Sequence, residues 1–107
     1  MRSLLVILLL VFAPLLLAAE PPLSAFERQE IEKLKLQLVD PESLNLRGVF
    51  TATLENGASV VCGEMNAKNR SGGYNGFERF IVAGRIVRVA SESPETFVEL
   101  WPMICGN

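Results

Sequence analysis

Between Leu46 and Glu55 the chain alternates. Leu46, Gly48, Phe50, Ala52 and Leu54 take one parity, and Arg47, Val49, Thr51, Thr53 and Glu55 take the other. A period of two is the pattern of a strand. Asn56-Gly57 follows, a strong hairpin signal, and Val60-Val61-Cys62 opens a second apolar run. On a two-residue loop, Leu54 faces Ser59, Ala52 faces Val61, and Phe50 lies over Gly63, where a ring covers bare backbone. Thr51 then faces Cys62 on the opposite side. The sheet is therefore expected to be covered on both faces, one by an N-terminal helix and the other by whatever carries Cys105. A third strand is predicted from about Phe77 to Val82, and Ala83-Gly84-Arg85 turns it into Ile86-Val87-Arg88-Val89-Ala90.

Upstream the period lengthens. Leu23, Phe26, Ile31, Leu34 and Leu38 approximate a helical stripe, with Arg28, Gln29, Glu32, Lys33 and Lys35 on the other faces. Ser24 followed by Glu27 reads as a capping box, and Glu30 to Lys33 and Glu32 to Lys35 are favourable i,i+3 pairs. The predicted helix runs from about Leu23 to Val39 and stops at Asp40, which precedes Pro41. Asp40 is then a candidate cap for a second short turn. Near the C-terminus, Ser93-Pro94-Glu95 reads as a helix start, and Phe97, Leu100, Trp101 and Ile104 recur at i, i+3, i+4 and i+7. Pro102 is expected to kink or end this helix, and Trp101 reads as a core anchor. The product is one α+β domain over residues 20–107: helix, antiparallel four-stranded meander, helix.

Half of the 107 residues are hydrophobic, but the first nineteen supply much of that. Arg2, the run Leu4–Phe12 and the small pair Ala18-Ala19 describe a signal peptide over residues 1–19, cleaved after Ala19. The apolar stretch is sixteen residues with Pro14 inside it, short of the roughly 20 that span a bilayer. An uncleaved anchor is the alternative; with the signal removed, no stable membrane span is expected. The expected location is periplasmic or secreted. Taking away Arg2 leaves nine Lys/Arg against twelve Asp/Glu, with no histidine and no basic run, so the electrostatic footprint of a nucleic-acid binder is absent. Behind an export signal, Cys62 and Cys105, the only cysteines, read as a disulfide. Two free thiols serving redox or metal chemistry would lack both a CxxC pair and a histidine.

The stretch with the most unusual composition lies at the centre. Asn66-Ala67-Lys68-Asn69-Arg70-Ser71-Gly72-Gly73-Tyr74-Asn75-Gly76 is nearly all turn chemistry and joins two strands. The run V-C-G-E-x-N-A-K-N from Val61, then G-G-Y-x-G-F and R-F-I, with Asp40-Pro41-Glu42-Ser43 upstream, resembles a widespread family of small exported bacterial proteins without an assigned activity. The resemblance implies export and a shared fold, and it carries over no catalytic residue.

No residue constellation defines a reaction, and no cofactor is implied. Without histidine the usual base for a serine or cysteine nucleophile is missing, and the acidic residues are not spaced as in a calcium loop. Glu64 and Glu78 are the one candidate carboxylate pair, for glycan hydrolysis across a hairpin; the plainer reading leaves them solvated or paired with Arg70, Arg79 or Lys68. Glycines beside Lys68 and Arg70 are a weak match to an anion nest. What remains is recognition of an envelope or extracellular protein or glycan by Asn66, Lys68, Asn69, Arg70, Ser71 and Tyr74, a polar-plus-aromatic set suited to binding surfaces. The competing expectation is a self-satisfied loop whose amides bond only backbone. Ser71-Gly72-Gly73-Tyr74 is also similar to the S-G-x-x-Y motif of periplasmic lysozyme inhibitors, although those are β-barrels without an N-terminal helix.

Overall fold

The computed structural model describes residues 20–106, and the expected signal peptide lies outside the described residues. Helix α1, Ala25–Lys35, starts as its sequence dictates. The Ser24 hydroxyl accepts the Glu27 N–H at 3.0 Å, and Glu27 Oε1 accepts the Ser24 N–H at 3.0 Å, so two of the helix's orphan donors are satisfied reciprocally. Its end comes four residues earlier than the period predicts. Gln37 and Leu38 donate to the carbonyls of Leu34 and Lys35, a tighter i→i−3 winding, and Leu36 is 85% exposed. The tighter winding turns Leu36 out to water and still packs Leu38 against the core on the α1 side. Phe26, counted in the predicted stripe, is exposed, and Glu30 is buried in the helix with Lys33 Nζ at 2.7 Å.

Pro41–Ser43 forms a single 3-10 turn. Asp40 does not cap it with its side chain; the Asp40 carbonyl instead accepts the Ser43 N–H at 3.1 Å and the Ser43 hydroxyl at 2.7 Å.

Strands β1 (Asn45–Thr53), β2 (Ser59–Asn66), β3 (Glu78–Ala83) and β4 (Ile86–Val89) form an antiparallel sheet in sequential order. The first hairpin departs from the two-residue loop. Leu54 donates to Ala58 at 2.8 Å, Gly57 donates to Leu54 at 2.9 Å, and Gly57 adopts φ +87°, giving a three-residue loop. The pairing moves by one residue: Ala52 lies opposite Val60, Thr51 opposite Val61, and Phe50 opposite Cys62 rather than over Gly63. A bulge then sets Gly48 and Val49 against Gly63, with Gly48 at φ +59°, and places Arg47 opposite Glu64. Leu46 and Val49 consequently pack on the α1 side, while Ala52 and Leu54 pack on the other.

Helix α2, Pro94–Ile104, begins at the expected proline, although Ser93 makes no side-chain cap, and it continues through Pro102. Two cores result. Ile31, Leu34, Val61, Met65, Phe80, Val82 and Val87 fill the space between α1 and the sheet. Val60, Cys62, Ile81, Phe97, Trp101 and Cys105 fill the space beneath α2. The Cys62–Cys105 disulfide crosses the second core, and Trp101 packs there as expected. Gly63 is covered by an aromatic after all, but by Phe80: a Cβ at Gly63 would meet Phe80 Cε1 and the Val49 backbone, each at 3.0 Å.

Candidate functional site

The central loop leaves β2 at Asn66 and returns at β3, and its amides are spent on its own backbone. Asn66 Oδ1 accepts the Gly76 N–H at 3.2 Å, pulling the two ends together. Asn69 Oδ1 accepts the N–H groups of Ser71 and Gly73 at 2.9 and 3.2 Å, and its Nδ2 donates to Asn75 Oδ1 at 3.0 Å. Asn69 is thus the internal scaffold of the turn, with Gly72 at φ +83° closing it. Lys68 and Tyr74 form a short bridge across the base.

A second anchor comes from far upstream. Ser43 Oγ accepts the Lys68 N–H at 2.8 Å, and the Ser43 carbonyl accepts the Tyr74 hydroxyl at 2.9 Å. The Asp40–Ser43 turn and the loop are therefore one braced unit. Tyr74 has its hydroxyl tied down while its side chain stays 45% exposed. Of the six residues singled out in sequence, Asn66 and Asn69 are structural, and Tyr74 is partly so. Lys68, Arg70 and Ser71 are exposed, and their side chains make no hydrogen bond or ion pair among the described residues.

On its inner side the loop borders a hollow of about 230 Å³. Leu38, Met65, Ala67, Val87 and Val89 line it with apolar surface, and Lys68, Asn69, Asn75, Glu78 and Glu92 bring the polar groups.

Glu64 and Glu78 do not meet. Glu64 shares the α2 face with Cys62, whereas Glu78 is the partner of Met65 on the α1 face. Arg47 Nε bonds Glu64 Oε1 at 2.9 Å, Arg79 lies opposite Glu64 in the pairing, and Glu78 Oε1 accepts the Ser91 N–H at 2.8 Å. The hydrogen bond from Arg47, helped by the charges of Arg47 and Arg79, holds the Glu64 carboxyl below the ordinary glutamate range. Arg47 also stacks 4.0 Å over Phe77, and Arg79 lies 4.6 Å over Trp101. Reading the sequence missed Arg47 and Ser43 as site neighbours. Ser43 had a signal in the D-P-x-S part of the pattern, whereas Arg47 had none.

Among the described residues no cluster of three His, Cys, Asp or Glu is placed to hold a metal ion, and no helix is long and apolar enough to cross a membrane. Comparison with protein-family models, with curated proteins and with solved structures finds no match to the chain.

Proposed function

We propose that this chain is an exported binding module that recognises an envelope or extracellular partner through the loop of residues 66–76. The observation that carries the reading is the division of labour within the loop. Asn66, Asn69 and Ser43 hold the backbone, and Lys68, Arg70, Ser71 and the ring of Tyr74 are left facing solvent. A preformed loop loses little conformational freedom on binding, so more of its contact energy appears as affinity. Export is supported by the Arg2, Leu4–Phe12 and Ala18-Ala19 arrangement, by the resemblance to small exported proteins, and by a disulfide of the kind that persists in oxidising compartments.

A second reading, inhibition of a lysozyme-like enzyme, is favoured by one feature: Ser71-Gly72-Gly73-Tyr74 lies at the surface of a braced loop. The open four-stranded sheet is unlike the barrels of those inhibitors. Carboxylate hydrolysis draws no support from Glu64 and Glu78 on opposite faces.

Capture from envelope extract tests the main reading. Combined Lys68→Ala, Arg70→Ala and Ser71→Ala changes remove side chains that brace nothing, so thermal stability is expected to hold while partner capture is lost. Repeated absence of any partner dependent on these residues refutes the proposal. Loss of lysozyme inhibition in the same variant promotes the second reading. Intact mass of the purified protein tests export: a mass lacking residues 1–19 is expected, and a mass retaining them identifies an anchored protein.

A further inference from the structure

Beside the loop hollow lies a second one of about 470 Å³, lined by Lys33, Leu36, Gln37, Gly84, Arg85 and Val87. The two share Gln37 and Val87. They form one trough between the C-terminal end of α1 and edge strand β4. Leu36 and Val39, which line it, are 85% and 59% exposed. Val98 and Met103 on α2 are similarly exposed, so what sets Leu36 and Val39 apart is their place in a hollow flanked by charge.

The trough's ends carry opposite charge. At one end stands Arg85, with Lys33 beside it already bonded to Glu30 at 2.7 Å and to the Gly84 carbonyl at 3.0 Å. At the other stand Glu78 and Glu92, opposed by Lys68. An excess cation at one end, aliphatic side chains between and an excess carboxylate at the other make a surface complementary to itself. In a two-fold arrangement centred on the shared Gln37 and Val87, Arg85 would oppose the acidic end of its partner, and Leu36 and Val39 of each chain would face the other's trough. Self-complementarity of this kind is the requirement for a two-fold interface.

The edge of β4 favours side-chain docking over strand addition. Ala90 N–H bonds the Arg79 carbonyl, a register that turns the backbone groups of Val87 and Val89 outward. The Val87 carbonyl accepts Arg88 at 3.1 Å, the Val89 N–H reaches Glu92 Oε1 at 3.2 Å, and the Val89 carbonyl accepts the Glu92 N–H at 3.2 Å. A strand laid along this edge finds little free to pair with.

We infer that a second copy of this chain docks in the α1–β4 trough, forming a two-fold dimer with one recognition loop at each end of the interface. Analytical ultracentrifugation of the protein recovered from cells expressing the full chain tests it. Wild type is expected to dimerise, and Leu36→Asp to be a folded monomer with native circular dichroism, since Leu36 is exposed within the chain; its melting temperature should fall only by what dimerisation contributes and should lose its dependence on protein concentration. Arg85→Glu and Glu92→Arg, each alone, should weaken association by about tenfold or more, and the two together in one chain should restore it. Where Glu92→Arg disturbs the strand edge, Glu92→Gln, which keeps an oxygen for the Val89 N–H and loses the charge, replaces it and should weaken association by itself. A monomer at all concentrations, a dimer indifferent to Leu36→Asp, or a double variant no better than the singles overturns the inference.

Discussion

Ser43 makes more of the loop's long-range hydrogen bonds than any residue in the loop itself, accepting from Lys68 and Tyr74 while donating to Asp40. Ser43→Ala removes two hydrogen bonds, to the Lys68 N–H and to the Asp40 carbonyl, each worth about 0.5–1.5 kcal/mol, so a loss of about 1–3 kcal/mol is expected in urea unfolding. Faster amide exchange at Lys68 should accompany it. Tyr74→Phe removes one bond only and should cost about 0.5–1.5 kcal/mol. The D-P-x-S pattern marks Ser43 in the sequence but not its role, because its partners lie 25 and 31 positions away. Glu27 differs, since its capping role was legible from the Ser24 spacing. What the spacing did not show is that Glu27 Oε2 also accepts the Thr51 hydroxyl at 2.7 Å, tying the helix start to β1. The hydrogen bond from the Ser24 backbone, and then that from Thr51, lower the Glu27 pKa in the folded protein. A carboxyl depressed by folding contributes fully above its unfolded value of about 4.3 and loses that contribution as pH falls through its folded value. Melting temperature should therefore fall on acidification below about pH 4.3, and Glu27→Gln should flatten that fall while lowering stability at neutral pH.

Among the elements, the ones whose signals are local appeared where the sequence put them. The capping box starts α1, Pro94 starts α2, and alternation marks β1. The register between β1 and β2 is another matter. Asn56-Gly57 identifies a turn but is compatible with two-residue and three-residue loops, and one residue of difference sends side chains to the opposite face. The Gly48 bulge then reverses parity again for Leu46. Alternation that reads as unbroken thus hides a switch of faces, chosen so that Val49 packs over Gly63 and Phe50 meets Trp101 edge-on at 6.3 Å. Gly63→Ala tests this packing. Its methyl meets Phe80 and the Val49 backbone at 3.0 Å, so a loss of about 1–3 kcal/mol is expected by chemical denaturation. Gly73→Ala, with open space around it and no positive φ, should stay within about 0.5 kcal/mol of wild type.

At the scale of the molecule, the sheet is a shared wall between two small cores, and the disulfide serves only the one beneath α2. With Cys62 and Cys105 separated by 43 positions in sequence, removing the bond through paired Cys→Ala changes should cost about 4 kcal/mol by the chain-entropy argument. Hydrogen exchange should show α2 losing protection before α1, whose packing does not involve either cysteine. By itself the sequence determined the fold class, the order of the elements and the cysteine pairing, because periodicity, caps and a count of two are short-range or combinatorial information. It also named the loop as the unusual segment. Tertiary structure alone decided the strand register, the separation of Glu64 from Glu78, and the split of the loop into bracing Asn66 and Asn69 and outward Lys68, Arg70 and Ser71. The physical reason is common to all three. Each depends on which distant groups compete for a given hydrogen bond or a given face of the sheet, and that competition is resolved only when both cores are packed at once.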